Sequence, residues 1–140
     1  MEILRLSDVR LYDKISACFG EGGGVYRLHC LATDSDHAVA PLPRALSVDE
    51  EGVLYIGKAA RFLDRVITLK KAMSPNHHSG GHIAGRRYKG DTYTSFRQRF
   101  PFARLCLTFF PAESPEALEK TKLNEYCRRF GEPPPLNRME

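Results

Sequence analysis

The chain has 140 residues, a length that suits one domain around one core. With 42% hydrophobic and 27% charged residues, a net charge of +4 and no apolar run near the roughly 20 residues that cross a bilayer, a membrane-spanning protein is not expected. MEILRLSDVR carries acids early and no long apolar centre, unlike a secretory leader, and Cys18, Cys30, Cys106 and Cys127 form no CxxC pair. A cytoplasmic chain with buried free thiols is therefore the expectation.

An N-terminal helix is expected within residues 1–20. Val9, Leu11, Tyr12, Ile15 and Phe19 recur at helical spacing, and Ser7 is placed to cap it. GEGGG (20–24) ends it. VYRLHCLAT (25–33) is rich in strand formers, and residues 34–51, with Pro41 and Pro43, read as an insert loop. VLYIG (53–57) is a second strand, expected antiparallel to the first. A helix is expected from Lys58 to about Met73, with Phe62, Val66, Leu69 and Met73 as its apolar stripe. Lys58, Arg61 and Arg65 then share another face of it.

SPNHHSGGHIAGRRYKGD (74–91), with one proline and four glycines, reads as a loop carrying Arg86, Arg87 and Lys89. A short helix near 93–100 follows. ARLCLTFFP (103–111) is apolar on both faces and is expected to be a central strand. The last helix has Ser114 as N-cap, Pro115 in its first position and Glu116 at its positive end. Its buried side is expected to hold Ala117, Leu118, Leu123, Tyr126, Cys127 and Phe130. Gly131 and the triple proline after Glu132 end it. Residues 1–140 thus read as a single α+β domain.

The sequence pI of about 9.0 and the run of cations from Lys58 to Arg104 point to a polyanionic partner. GVY (24–26) followed by YIG (55–57) resembles the two signature strands of the GIY-YIG nuclease family. YIGKAARFLDRV is similar to that family's continuation, in which a basic helix carries an arginine about ten residues after the tyrosine; Arg65 holds that place. ALEKTKLNEYCRRFGEPPPLN resembles the terminal helix, with Glu119 and Asn137 at the matching positions. The resemblance covers Gly24 to Asn137. It implies a small three-stranded antiparallel sheet flanked by helices, here with an extra N-terminal helix. The long gap between the tyrosine motifs is closer to restriction-enzyme-like members. Leu69 stands where a histidine one turn after Arg65 is usual.

What the resemblance implies is a divalent-metal-dependent endonuclease acting on DNA. In it Tyr26 activates the attacking water, and Tyr55 contacts the scissile phosphate or the same water. The residue chemistry fits. Hydrolysis of a phosphodiester needs charge neutralisation at the transition state and an activated water. Arg65 can clamp a phosphate oxygen. Glu119 as a single carboxylate suits one Mg²⁺ (or Mn²⁺) that keeps several waters. Glu125 is the rival for that role. A tyrosine with a pKa near 10 is a poor base at pH 7 unless cations lower it, and Lys58, Arg65 and a metal are the candidates for that. His82 is the first choice for relaying the proton and His78 the second. Lys58, Arg61, Arg86 and Arg87 are expected to grip the nucleic-acid backbone. Asn137 is expected to staple the tail to the sheet. A cut in both strands needs two active sites or two successive events, and the domain is small for reading a long site, so a homodimer or a partner protein is expected. The alternative is a non-cleaving nucleic-acid-binding module of the same fold.

Overall fold

A computed structural model of the chain describes residues 3–33, 35–76 and 81–137. The architecture is α+β. In chain order it runs β1 (Leu4–Arg5), α1 (Leu11–Phe19), β2 (Gly24–Cys30), β3 (Leu42–Pro43), β4 (Val48–Asp49) and β5 (Tyr55–Ala59). It continues with α2 (Phe62–Met73), α3 (Ile83–Lys89), α4 (Thr94–Arg99), β6 (Leu105–Pro111) and α5 (Pro115–Phe130). The main sheet is antiparallel and four-stranded, in the order β1-β6-β2-β5. The fourth strand, absent from the expected three, is Leu4–Arg5, which pairs with Leu107 and Cys106 ahead of the first helix. β3 and β4 form a separate two-stranded ribbon inside the insert.

Alternation along β2 divides the molecule into layers. Tyr26, Leu28 and Cys30 belong to the larger core with Leu11, Ile15, Phe62, Val66, Leu69 and Met73, so α1 and α2 cover that face. Phe19, Phe62 and Phe109 meet there with ring centroids 4.9 to 5.1 Å apart. Val25 and Ile56 face the other way, into a second core with Tyr126 and Phe130 of α5. The α2 stripe is buried as the spacing predicts.

Several expectations are corrected. α1 begins at Leu11, Ser7 does not cap it, and Val9 is 94% exposed, because the chain from Leu4 to Leu6 is taken up by the sheet edge. Lys58 lies in β5 and α2 starts only at Phe62, since the β2–β5 pairing runs on to Ala59. The segment holding Arg86, Arg87 and Lys89 is a helix, α3, whose Gly85 packs against Ala72 of α2. A glycine there permits close helix approach instead of breaking the element. Ser114 occupies the N-cap position of α5 without a side-chain bond, Ala117 is exposed, and Cys18 is an exposed thiol. Among the described residues no helix is long and apolar enough to cross a membrane.

Two devices hold β5. The buried Asp49 carboxylate accepts bonds from the amides of Glu51, Gly52 and Val53 and from the Tyr126 hydroxyl, at 2.8 to 3.2 Å. This pins the end of the insert immediately before the strand. Asn137 reads β5 as a further strand would: its Oδ1 accepts from the Ile56 amide and its Nδ2 donates to the Ile56 carbonyl, both at 2.9 Å. The staple expected of Asn137 is thus two side-chain hydrogen bonds to the sheet edge. The Leu136 amide adds a bond to the Leu54 carbonyl.

Candidate active site

The pairing of β2 with β5 sets Tyr26 directly opposite Gly57, and Tyr55 opposite Leu28. Both phenols point to the α2–α3 face. A Cβ at position 57 would lie 2.5 Å from Tyr26 Cζ and 2.6 Å from its hydroxyl, so the missing side chain is the space in which the ring lies. Gly24 makes the same allowance for backbone: a Cβ there would sit 2.1 Å from the Phe110 carbonyl oxygen. The two tyrosine rings are 6.1 Å apart.

His82 precedes α3 and is fully buried. Its Nδ1 accepts the Ala84 amide at 3.1 Å, which caps the helix. Its Nε2 lies 2.7 Å from the Tyr26 hydroxyl. The imidazole also packs edge-on to Tyr55, with centroids 5.5 Å apart. β2, β5 and the start of α3 therefore meet at one aromatic corner. His77 and His78 lie outside the described residues.

Arg65, one turn into α2, is half-buried; its charge acts on Tyr26, Tyr55 and His82. Among the described residues it forms no ion pair with a carboxylate within 4 Å. Glu119 comes from α5, on the other side of the sheet edge. Its charge reaches Tyr26, Tyr55 and Arg65, and it sits beside the amide and ammonium of Lys58. Glu125 lies elsewhere on the same helix, beside Arg27 and Lys122 in a small groove of about 130 Å³. Glu119, not Glu125, is thus the acid near the phenols.

The electrostatics differ from expectation in sign. Burial raises Tyr26 above the ordinary phenol value, the neighbouring Tyr55 adds to this, and Arg65 only partly opposes it. Tyr55 is raised as well, by burial and then by Glu119. The cations do not outweigh the loss of solvent. Burial likewise raises the Glu119 carboxyl, against the pull of Lys58. His82 is pushed down to about 3, by burial and then by Arg65, and is neutral at physiological pH.

The other expected cations differ in availability. Lys58 is exposed, with Glu116 3.9 Å from its Nζ. Arg61 is exposed and paired with Glu21 at 3.3 Å and Asp64 at 3.6 Å. Arg86 is exposed, while Arg87 donates to the Leu136 carbonyl at 2.6 Å and so ties the tail to α3. Lys58, Arg65, Glu113 and Glu116 line an open cleft of about 500 Å³ that shares Arg65 with the corner.

Among the described residues no group of three or more His, Cys, Asp and Glu side chains gathers. The donors at the corner are one carboxylate and two phenols. Such hard oxygen donors fit Mg²⁺, which binds through one or two carboxylates and keeps most of its waters. Sequence reasoning missed the spacer role of Gly57 toward Tyr26 and the helix that makes His82 an N-cap. The signal for the first is that GVY and YIG sit at the facing register of one hairpin pair. Comparison with protein-family models, with curated proteins and with solved structures returns no match.

Proposed function

We propose that the protein is a divalent-metal-dependent endonuclease that hydrolyses phosphodiester bonds in DNA from a GIY-YIG-like fold. The observation that carries this reading is the meeting of Tyr26, Tyr55, His82, Arg65 and Glu119 at one corner, although five separate elements supply them. The order of GVY, YIG, Arg65, Glu119 and Asn137 along the chain supports it further.

In this reading the open side of the corner takes the scissile phosphate. Arg65 clamps a non-bridging oxygen with its forked donors, and among the described residues no carboxylate forms an ion pair with it within 4 Å. Lys58 and the exposed Arg86 hold neighbouring phosphates, which gives affinity without sequence information. Tyr26 and Tyr55 hold the attacking water and a phosphoryl oxygen through their hydroxyls. Glu119 would hold Mg²⁺, which when bound supplies charge neutralisation and a more acidic water.

The test is cleavage of supercoiled plasmid and of branched and single-stranded oligonucleotides, with Mg²⁺ or with EDTA. Nicking that needs Mg²⁺ and is lost in Glu119→Ala and Tyr26→Phe is the expected result. Nicking that persists in Glu119→Ala removes that residue from the reading. A second reading, a nucleic-acid-binding module that does not cut, draws on the complete burial of Tyr26 and the raised pKa values of both phenols. Salt-sensitive DNA binding without nicking of any substrate would decide for it.

A further inference from the structure

We propose that His82 serves Tyr26 as a fixed hydrogen-bond donor, a positioning residue that does not take the tyrosine's proton. The inference deepens the nuclease reading and rests on it for the reaction, but the bond itself is a property of the folded chain.

The argument turns on which ring nitrogen carries hydrogen. A neutral imidazole has one N–H and one lone pair. Nδ1 faces the Ala84 amide, whose own hydrogen points at it, so Nδ1 must offer its lone pair. The single proton is therefore on Nε2, which lies 2.7 Å from the Tyr26 oxygen. His82 donates and Tyr26 accepts. For Tyr26 to pass a proton to Nε2, the ring would become an imidazolium with Nδ1–H set against the Ala84 N–H. The cap would break and a charge would be buried in a fully enclosed position. Among the described residues the charged groups around the corner are Arg65 from α2, Arg87 from α3, Glu119 from α5 and, beside Glu119, Lys58 from β5. The arginine charge of Arg65 also disfavours the imidazolium.

The consequence is directional. With an Nε2–H fixed against one lone pair, the hydroxyl hydrogen of Tyr26 cannot point at His82. It is turned toward Tyr55, with which the Tyr26 hydroxyl shares a hydrogen bond. His82 thereby fixes both the position of the phenol oxygen and the direction of its O–H. His29 is a built-in contrast: its Nδ1 faces the Glu51 carbonyl at 2.7 Å and its Nε2 faces the Thr108 hydroxyl at 2.9 Å. It must carry its proton on Nδ1.

Two measurements on the full chain test this. ¹⁵N-edited NMR of the histidine rings between pH 5 and 8 should show His82 protonated on Nε2 alone and His29 on Nδ1 alone. A His82 proton on Nδ1, or an imidazolium in that range, overturns the proposal whether or not the protein cuts DNA. The second measurement compares cleavage by H82A, H82Q and H82N. A glutamine can place an N–H where Nε2 was, whereas an asparagine can keep the helix cap without reaching Tyr26. Donation predicts that H82A is slower by roughly tenfold, the scale of one net hydrogen bond. It predicts that H82Q recovers most of that loss and that H82N does not. A loss of roughly 10² to 10⁴ shared equally by H82Q and H82A, with melting unchanged, marks a proton acceptor and overturns the proposal. Wild type that cuts nothing refutes the nuclease reading instead, and the NMR result still decides the bond.

Discussion

Tyr26 and Gly57 face each other across the β2–β5 pair, and the phenol lies in the volume that any side chain at position 57 would claim. Gly57→Ala must therefore displace the ring or the strand. The expected cost is about 1–3 kcal/mol, the range for forcing a methyl into a packed site. Cleavage should fall with it, because the Tyr26 hydroxyl moves off His82. Gly90→Ala, where the nearest atom to a new Cβ is 3.3 Å away, should be much milder. Thermal melts and plasmid nicking of the two variants check this; equal behaviour would remove the spacer role.

Arg65→Ala should slow cleavage by roughly 10²- to 10³-fold, the scale of losing one preorganised charge donor. Arg65→Lys should recover little, since an ammonium lacks the planar fork that grips a phosphate. Single-turnover rates with saturating DNA separate this from weakened binding. A rate unchanged in both variants would show that Arg65 belongs to a solvated helix face.

Asn137→Ala removes both bonds to Ile56 and should lower stability by about 1–3 kcal/mol. Asn137→Asp keeps the acceptor but sets a carboxylate against the Ile56 carbonyl, so it should rescue less than half of the loss. Denaturant titration with unchanged slope is the measurement.

Stability should fall in mild acid. Burial, first of all, depresses His29 to about 4 and His82 to about 3, both below the ordinary 6.5. The unfolded chain binds these protons below pH 6.5 and the folded chain does not. Their contribution is therefore complete above about pH 6.5 and is lost as pH falls toward 4 and 3. At pH 5 the deficit is about 2 kcal/mol for each histidine. The melting temperature should drop accordingly between pH 7.5 and pH 5, and His29→Gln should shrink that drop by about half. A flat profile would mean that neither ring is held neutral by the fold.

The two tyrosine strands, the apolar stripe of α2 and the last helix were legible because each repeats at the period of its element. The partnership of distant residues was legible only through the order of short motifs. What stayed hidden has physical reasons. Leu4–Arg5 is too short to show alternation, and its pairing is fixed by Cys106 and Leu107, far along the chain. HIAGRRYK looks like a broken loop because its glycine lowers helix propensity, yet Ala72 needs that glycine for close packing. Lys58 carries no mark that distinguishes the end of a strand from the start of a helix. The raised phenols were invisible because burial is a property of the assembled layers; charge counting alone suggests the opposite sign.

The outer border of β5 leaves little backbone for a newcomer. Leu136 takes the Leu54 carbonyl, Asn137 takes both polar groups of Ile56, and Glu119 sits at the amide of Lys58. A second molecule cannot extend the sheet on that side by adding a strand of its own. Self-association by strand addition is left to the opposite edge of the sheet, at β1. Loosening the last few described residues would uncover unpaired backbone groups next to the tyrosine corner, so the tail shields that edge as well as holding the fold.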